Sequence, residues 1–296
     1  MILVTGATGT VGRQVLRQLA DPAGPGFAAD RVRVLVRDPA RLDPAASRTA
    51  EVVTADYGDE AALGRALRGV DRALLVTTRV TGEDDVRFLG AARAAGVRHV
   101  VKLSAAAVTD PGADDLITTW QRDSEALLRD SGMEWTLLRP RSFMSNCLSW
   151  APSIRSEQVV RALYGSSLNA CVDPRDVAEV AVRALTEDGH DGRAYVLTGP
   201  RAISAADQTA ELARLLHVPL RLEELAADQA RAAMGRRYPE PVVEALLHSA
   251  HRQRAGAKTG VTDTVRRLTG RPARSFARWA EDHLDDFTVH APRGDR

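Results

Sequence analysis

Ile2-Leu3-Val4-Thr5-Gly6-Ala7-Thr8-Gly9-Thr10-Val11-Gly12-Arg13 is the stretch that most limits how this chain can fold. Ile2 to Val4 is short, apolar and β-branched, the composition of a buried strand. Three glycines follow, and Val11, Val15, Leu16 and Leu19 then recur on one helical face. A glycine at the strand end permits a tight turn, and a second lets bare backbone approach a pyrophosphate. A third lets the helix sit close on the sheet. Backbone amides and the positive end of the helix dipole then face an anion. The hydroxyls of Thr8 and Thr10 can add bonds to phosphate oxygens. Gly6, Thr8, Gly9, Thr10, Val11 and Gly12 are therefore the anion-binding candidates. The plainer reading, a glycine-rich link between strand and helix, fits the context less well, because the turn opens a longer α/β pattern.

That pattern continues through Arg31 to Val36, Glu51 to Tyr57, Arg72 to Thr78, Arg98 to Ser104 and Glu134 to Leu138, each strand followed by a helical segment. Arg193 to Pro200 is one more strand with its exit. Alternation of this kind predicts an α/β fold with a doubly wound parallel sheet of the Rossmann type. The chain has 296 residues, room for such a domain and a small lobe. We expect the sheet domain over residues 1–150, with 172–200 adding to it. Residues 151–171 and 201–296 are expected to form a small, mostly helical substrate lobe or lid. Glu223 to Gly235, Pro239 to Arg254 and Ala273 to Phe287 read as its amphipathic helices. Asp21 to Gly26 reads as a loop.

Composition narrows the classes. A net charge of +1 supplies no field to recruit nucleic acid or a membrane surface. No apolar run reaches the ~20 residues that span a bilayer, and no leader precedes Ile2, so a cytoplasmic protein is expected. Cys147 and Cys171 are too few for a disulfide framework, and His190, His217, His248, His251, His283 and His290 show no metal-ligand spacing. No metal is expected. His99, opening an apolar strand, reads as structural. Trp120, Trp135 and Trp150 can line a flat aromatic pocket, but core is the commoner place for tryptophan.

Strand exits supply the remaining site candidates. Arg37 ends the second strand, where an acidic residue would bind a ribose 2′-hydroxyl and an arginine suits a 2′-phosphate. Arg41 can add a contact; the competing reading pairs Arg37 with Asp38. Asp56 can accept from an adenine amino group and Tyr57 can pack beside the ring, while Asp59 caps the helix that follows. Thr77 and Thr78 end the fourth strand beside the glycine turn, where ligands collect in such sheets. Ser104 ends the fifth, either as a hydrogen-bond donor to substrate or as a hydroxyl serving local backbone.

Thr5-Gly6-Ala7-Thr8-Gly9-Thr10-Val11-Gly12 resembles the nucleotide-binding turn of atypical short-chain dehydrogenases/reductases, in particular the NmrA-like group. Glu125, Ser131-Gly132, Trp135-Thr136-Leu137-Leu138-Arg139-Pro140, Phe143 and Asn146 form a second match, and Val172-Asp173-Pro174-Arg175-Asp176 a third. The motifs cover residues 1–200. By this resemblance Arg139, Pro140 and the backbone up to Phe143 pass a nicotinamide, and Met144 and Asn146 begin a substrate pocket.

Ordinary short-chain dehydrogenases carry a tyrosine and a lysine one helical turn apart, the tyrosine as general acid and the lysine lowering its pKa. Here the tyrosines are Tyr57, Tyr164, Tyr195 and Tyr238, and none lies on the helix Leu116 to Asp130. With Glu125 in the family register, Ile117 and Gln121 take those two places. Gln121 can hydrogen-bond a ribose hydroxyl but cannot shift a phenol. Reducing a simple ketone leaves an alkoxide, which needs a strong donor. Reducing a quinone or enone leaves a delocalised, weakly basic anion that water can protonate. The sequence therefore points to an NADP-dependent, NmrA-like oxidoreductase, monomeric or homodimeric, acting on a quinone-like or conjugated aromatic small molecule, with Ser104 and Gln121 nearest the chemistry. The alternative is a non-catalytic NADP(H) redox sensor. A concave apolar pocket walled by Phe143, Met144 and the C-terminal helices would favour the enzyme.

Overall fold

The structure is a computed structural model that describes residues 1–21 and 31–288. Most of the expected loop at Asp21 to Gly26, and His290, lie outside those residues. The chain divides into two compact units. The first comprises Met1–Pro140, Pro174–Leu197 and Thr264–Arg271, and the second Arg141–Asp173, Thr198–Asp263 and Pro272–Arg296.

The first unit is built on seven parallel strands, β1 (Ile2–Val4), β2 (Val32–Val36), β3 (Glu51–Thr54), β4 (Arg72–Leu75), β5 (His99–Leu103), β6 (Glu134–Pro140) and β8 (Arg193–Leu197). Their order is β3-β2-β1-β4-β5-β6-β8. The order reverses between β1 and β4, the switch point outside whose carboxyl ends such sheets bind ligands. Helix Thr10–Leu19 packs on helix Pro174–Thr186, while Glu60–Leu67, Glu83–Ala94 and Leu116–Arg129 form a second run of neighbours. The sheet is the doubly wound Rossmann type expected from the alternation. Leu3, Leu63, Leu67, Leu75, Phe88, Leu128 and Leu137 are fully buried in one cluster. Each such leucine stabilises the fold by about 1.5–3 kcal/mol relative to an exposed one.

Two strand ends differ from expectation. β4 stops at Leu75 instead of running to Thr78, because the Val76 amide donates 2.8 Å to Thr5 Oγ1 rather than to a neighbouring strand. β6 runs past Leu138 to Pro140, since β8 pairs with it along Thr136 to Pro140.

The second unit is more than helical. β7 (Val159–Ala162) and β9 (Arg221–Glu224) form a parallel pair, so Glu223 and Glu224 belong to a strand and the helix expected from Glu223 begins at Ala227. Val159 and Val160 are buried, and Arg161 reaches across to Glu223 at 2.9 Å. Helix Glu240–Arg254 matches its expected span. The single helix expected over Ala273 to Phe287 is instead Phe276–Glu281 and a separate 3-10 turn Leu284–Phe287. The His283 ring takes the Trp279 carbonyl at 2.7 Å, the acceptor a continuing helix would give to the His283 amide. That amide bonds Ala280 instead, at 3.0 Å.

The unit boundary falls at Pro140 rather than near residue 150, and residues 198–200 lie in the second unit. Thr264–Arg271 returns to the sheet unit. The Arg271 guanidinium holds it there, with a 2.9 Å bond to the buried Asp176 carboxylate and a second bond to Glu179.

Candidate cofactor site

The turn after β1 is shaped by what it lacks. Gly6 has φ +62°, and a Cβ there would lie 2.8 Å from Val76 Cβ. A Cβ on Gly12 would lie 2.3 Å from the Gly6 carbonyl oxygen, so only bare backbone lets the helix start this close to the strand end. Gly9 is the N-cap of helix Thr10–Leu19 and no side chain caps it. Gly9 and Thr10 are exposed and Thr8 is half-exposed. The helix thus presents open amides, which is what a diphosphate requires. Thr5 has a separate role: its hydroxyl donates to the Leu74 carbonyl at 3.0 Å and accepts from Val76, tying the ends of β1 and β4 together.

Arg37 stands at the exit of β2, exposed and without a hydrogen bond or ion pair among the described residues. The competing pairing with Asp38 is absent. Asp38 instead caps the turn Pro39–Arg41, accepting from the Ala40 amide at 3.0 Å. An exposed guanidinium with its fork unspent, one strand from an anion-binding turn, fits a 2′-phosphate. The open cradle and this free cation together fit an NADP diphosphate and its extra phosphate.

At the exit of β3, Asp56 accepts from the Gly58 amide at 3.0 Å and faces Arg79 at 3.9 Å. Tyr57 packs edge-on against Phe88, and its hydroxyl donates to the Val76 carbonyl at 3.1 Å. Burial, the largest influence on it, pushes that phenol well above its usual range. Asp59 caps helix Glu60–Leu67 through Ala62 at 2.9 Å, as expected. At the exit of β4, Thr78 is exposed, but Thr77 is buried and donates to Asp85 at 2.9 Å. The sequence places Thr77 at the ligand edge; the structure spends its hydroxyl inward.

Asp85 is the centre of a network that sequence reasoning missed. Its carboxylate takes Lys102 Nζ at 3.0 Å, Thr77 and the Trp120 indole at 2.9 Å. Both charges are within 1 % of full burial. Burial drags the Lys102 pKa down, while Asp85 pulls the other way. The signal was a lysine inside the apolar run His99 to Leu103, since a charge on a buried strand demands a partner. Trp120 is therefore buried framework, and Trp135 and Trp150 are half-buried against the two cores. His99 is buried and bonded to Thr136 at 2.9 Å, a structural histidine whose pKa burial lowers to about 4.

Ser104 is buried and donates to Glu125 at 2.6 Å. Arg139 closes on the same carboxylate with bonds of 2.8 and 2.5 Å, and Arg129 adds a second cation at 2.9 Å. Burial pushes Glu125 up, but the bonds from Arg139 and Ser104 outweigh it and hold the carboxyl below its usual range. The Ser104 and Arg139 side chains are thus held by each other's partner, and Pro140 is buried at the end of β6. On the same helix Ile117 is half-buried, and Gln121 is buried with its Oε1 lacking a partner, as does the Ser124 hydroxyl one turn on. Met144, expected in a substrate pocket, is 2 % exposed in the core of the second unit, while Asn146 is exposed. Among the described residues no group of His, Cys, Asp or Glu could hold a metal ion, and no helix is long and apolar enough to cross a membrane.

Residues 6–188 match the family model described as NAD(P)H-binding. A (4-alkanoyl-5-oxo-2,5-dihydrofuran-3-yl)methyl phosphate reductase of Streptomyces griseus is 59% identical over 287 residues, covering 97% of this chain and 99% of the relative. An NAD(P)H azoreductase of Xenophilus azovorans is 36% identical, covering 97% and 99%. The crystal structure of an NADPH-dependent quinone oxidoreductase from Escherichia coli complexed with NADPH superposes with a TM-score of 0.83 at 29% identity, over 96% of this chain and 100% of that one. A bare-backbone cradle, an unspent arginine one strand away and these likenesses agree: the chain belongs to the NAD(P)H-binding, NmrA-like atypical short-chain dehydrogenases/reductases.

Proposed function

We propose that the protein is an NADPH-dependent reductase of conjugated, electron-poor acceptors: a quinone-like ring, or an unsaturated lactone bearing an acyl group. The observation that carries this reading is the makeup of helix Leu116–Arg129. It has neither tyrosine nor lysine, and the nearby strand-end hydroxyl of Ser104 is already donated to Glu125. No strong general acid of the ordinary kind stands ready, so the acceptor must be one whose reduction does not need it.

NADPH, when bound, supplies the hydride. The chain's part is to hold and select it. The Gly6–Gly12 turn offers amides to the diphosphate, and Arg37 takes the 2′-phosphate and so favours NADP over NAD. Thr78 is the strand-end threonine whose side chain remains exposed. The Streptomyces griseus relative is named for a ring double bond conjugated to two carbonyls. Hydride addition at the carbon distal to both would leave an enolate spread over two oxygens, weakly basic enough to take its proton from water. A quinone gives a phenolate with the same property. We assign acceptor binding to the second unit.

The test is NADPH oxidation, followed by absorbance, with a 2-acylbutenolide, a benzoquinone and an unactivated aliphatic ketone. Turnover of the first two and none of the third is expected. Tight NADPH binding with no oxidation by any acceptor would overturn the reading in favour of a cofactor-sensing protein.

A further inference from the structure

Arg141 opens the second unit, and its guanidinium is not satisfied. The side chain is half-buried, and its Nε is shut off from solvent with no hydrogen-bond partner. Its one described bond is a long one, Nη1 to the Ala257 carbonyl at 3.5 Å. Burial alone lowers its pKa, with no carboxylate acting against it. Arg33 and Arg183 likewise bury an Nε with no partner, but the rest of each guanidinium is bonded at short range, and other partly buried arginines bond more fully than Arg141. Arg139 closes twice on Glu125, and Arg271 closes on Asp176 and Glu179. Arg72 meets two carbonyls and Asp188, Arg33 two carbonyls and Glu51, and Arg122 three carbonyls.

A guanidinium nitrogen shut off from solvent without a partner is costly, and folded proteins keep few of them. The backbone around Arg141 is fixed rather than loose. The Val172 amide donates to the Ser142 carbonyl at 2.9 Å, and the Ala170 amide to the Lys258 carbonyl at 2.9 Å. Lys258 follows Ala257, and its ammonium donates to Ser249 at 2.8 Å. A second cation is thereby anchored one residue beyond the carbonyl that Arg141 touches.

We propose that Arg141 is an anion anchor within the second unit that receives a phosphate monoester carried by the acceptor. A planar fork of donors matches phosphate oxygens, and a dianion would supply the partner that the Nε lacks. This deepens the proposed function and rests on it for the identity of the acceptor, since the 59%-identical relative is named for a methyl phosphate. The anchor sets which acceptor is taken; it moves no proton and touches no hydride.

The experiment uses the full chain saturated with NADP, so that the phosphate sites of the first unit are filled. Methyl phosphate binding is measured by calorimetry for wild type, Arg141→Ala and Arg141→Lys. Wild type should bind, Arg141→Ala should bind at least about thirtyfold more weakly, and Arg141→Lys should recover part of the loss. Unchanged NADPH affinity and far-UV spectra show that the variants are folded. In parallel, kcat/KM is compared for a phosphorylated acylbutenolide and its free alcohol. Wild type should favour the phosphate through KM, and Arg141→Ala should bring the ratio toward one.

Equal methyl phosphate binding by wild type and Arg141→Ala, or a phosphate preference that survives the substitution, overturns the anchor. If wild type reduces neither acceptor, the proposed reaction fails, and the calorimetry still decides the anchor separately.

Discussion

Two polar regions of the sheet unit are built on opposite terms. At the exits of β1 and β2, the glycine turn and Arg37 leave their bonding capacity open: uncapped amides, an exposed Thr10, a guanidinium without a partner among the described residues. Around β5 and helix Leu116–Arg129, the charges are spent on one another, Lys102 on Asp85 and Arg139 on Glu125. The residue types are similar, and the difference lies in unmet valence. A buried charge that is fully paired specifies packing, whereas an exposed cation or amide row with nothing to bond waits for a ligand. Arg141 shows the same unmet valence in the second unit.

The largest effect should come from breaking the closed region. Asp85→Ala strands Lys102 as an uncompensated buried charge and should cost about 3–5 kcal/mol of unfolding free energy in urea titrations. The double variant Asp85→Leu/Lys102→Met removes both charges and should lie within about 1–2 kcal/mol of wild type, or above it. If the single variant proves as stable as wild type, the pair is not the framework element described.

Breaking the open region should cost binding instead. Gly12→Val drives a side chain into the Gly6 carbonyl and should weaken NADPH by more than about a hundredfold in fluorescence titration, with the far-UV spectrum kept. Retained affinity would show that the cradle tolerates a Cβ and does not grip a diphosphate.

How far these regions were legible beforehand differs for a physical reason. Gly6, Gly9 and Gly12 act through the backbone of one short segment, so the tight turn from strand to helix was legible in their spacing. Ser104 and Thr77 act through side chains, and their strand-end positions were readable while their bonding was not. Each hydroxyl is claimed by a carboxylate on another element, Glu125 for Ser104 and Asp85 for Thr77. Helix Ala205–Leu216 begins on a cap of the legible kind, because Ser204 accepts from the Asp207 amide within one short segment. The β7-β9 pair was not legible, since four-residue strands 62 positions apart at Arg161 and Glu223 carry no local period.

A smaller effect in the closed region depends on pH. His99 is held neutral in the folded state, with its pKa lowered from 6.5 to about 4. The unfolded chain therefore binds more protons between those values. This contribution is complete above the unfolded pKa and is lost as pH falls through that window toward about 4. The loss attributable to His99 should reach up to about 3 kcal/mol, and His99→Gln should flatten the stability profile over that range in denaturant titrations. An unchanged slope would show that His99 does not carry it.

The mildest change should be Arg37→Ala. It should raise the NADPH dissociation constant about ten- to a hundredfold and leave that of NADH alone, both read by fluorescence. Equal losses for the two coenzymes would remove Arg37 from the 2′-phosphate.

The sequence by itself determined the strand-glycine-helix opening, the parallel order it begins and the arginine placed one strand over. Those follow from backbone freedom, hydrophobic period and chain direction, which are properties of short segments. Only the tertiary structure decided which charges are spent and which are left open. Asp85 meets Trp120 35 residues on, Glu125 meets Arg139 14 residues on, and Arg141, among the described residues, meets one carbonyl 116 residues away. A side chain's partner is chosen by packing between distant segments, and no local pattern records that choice.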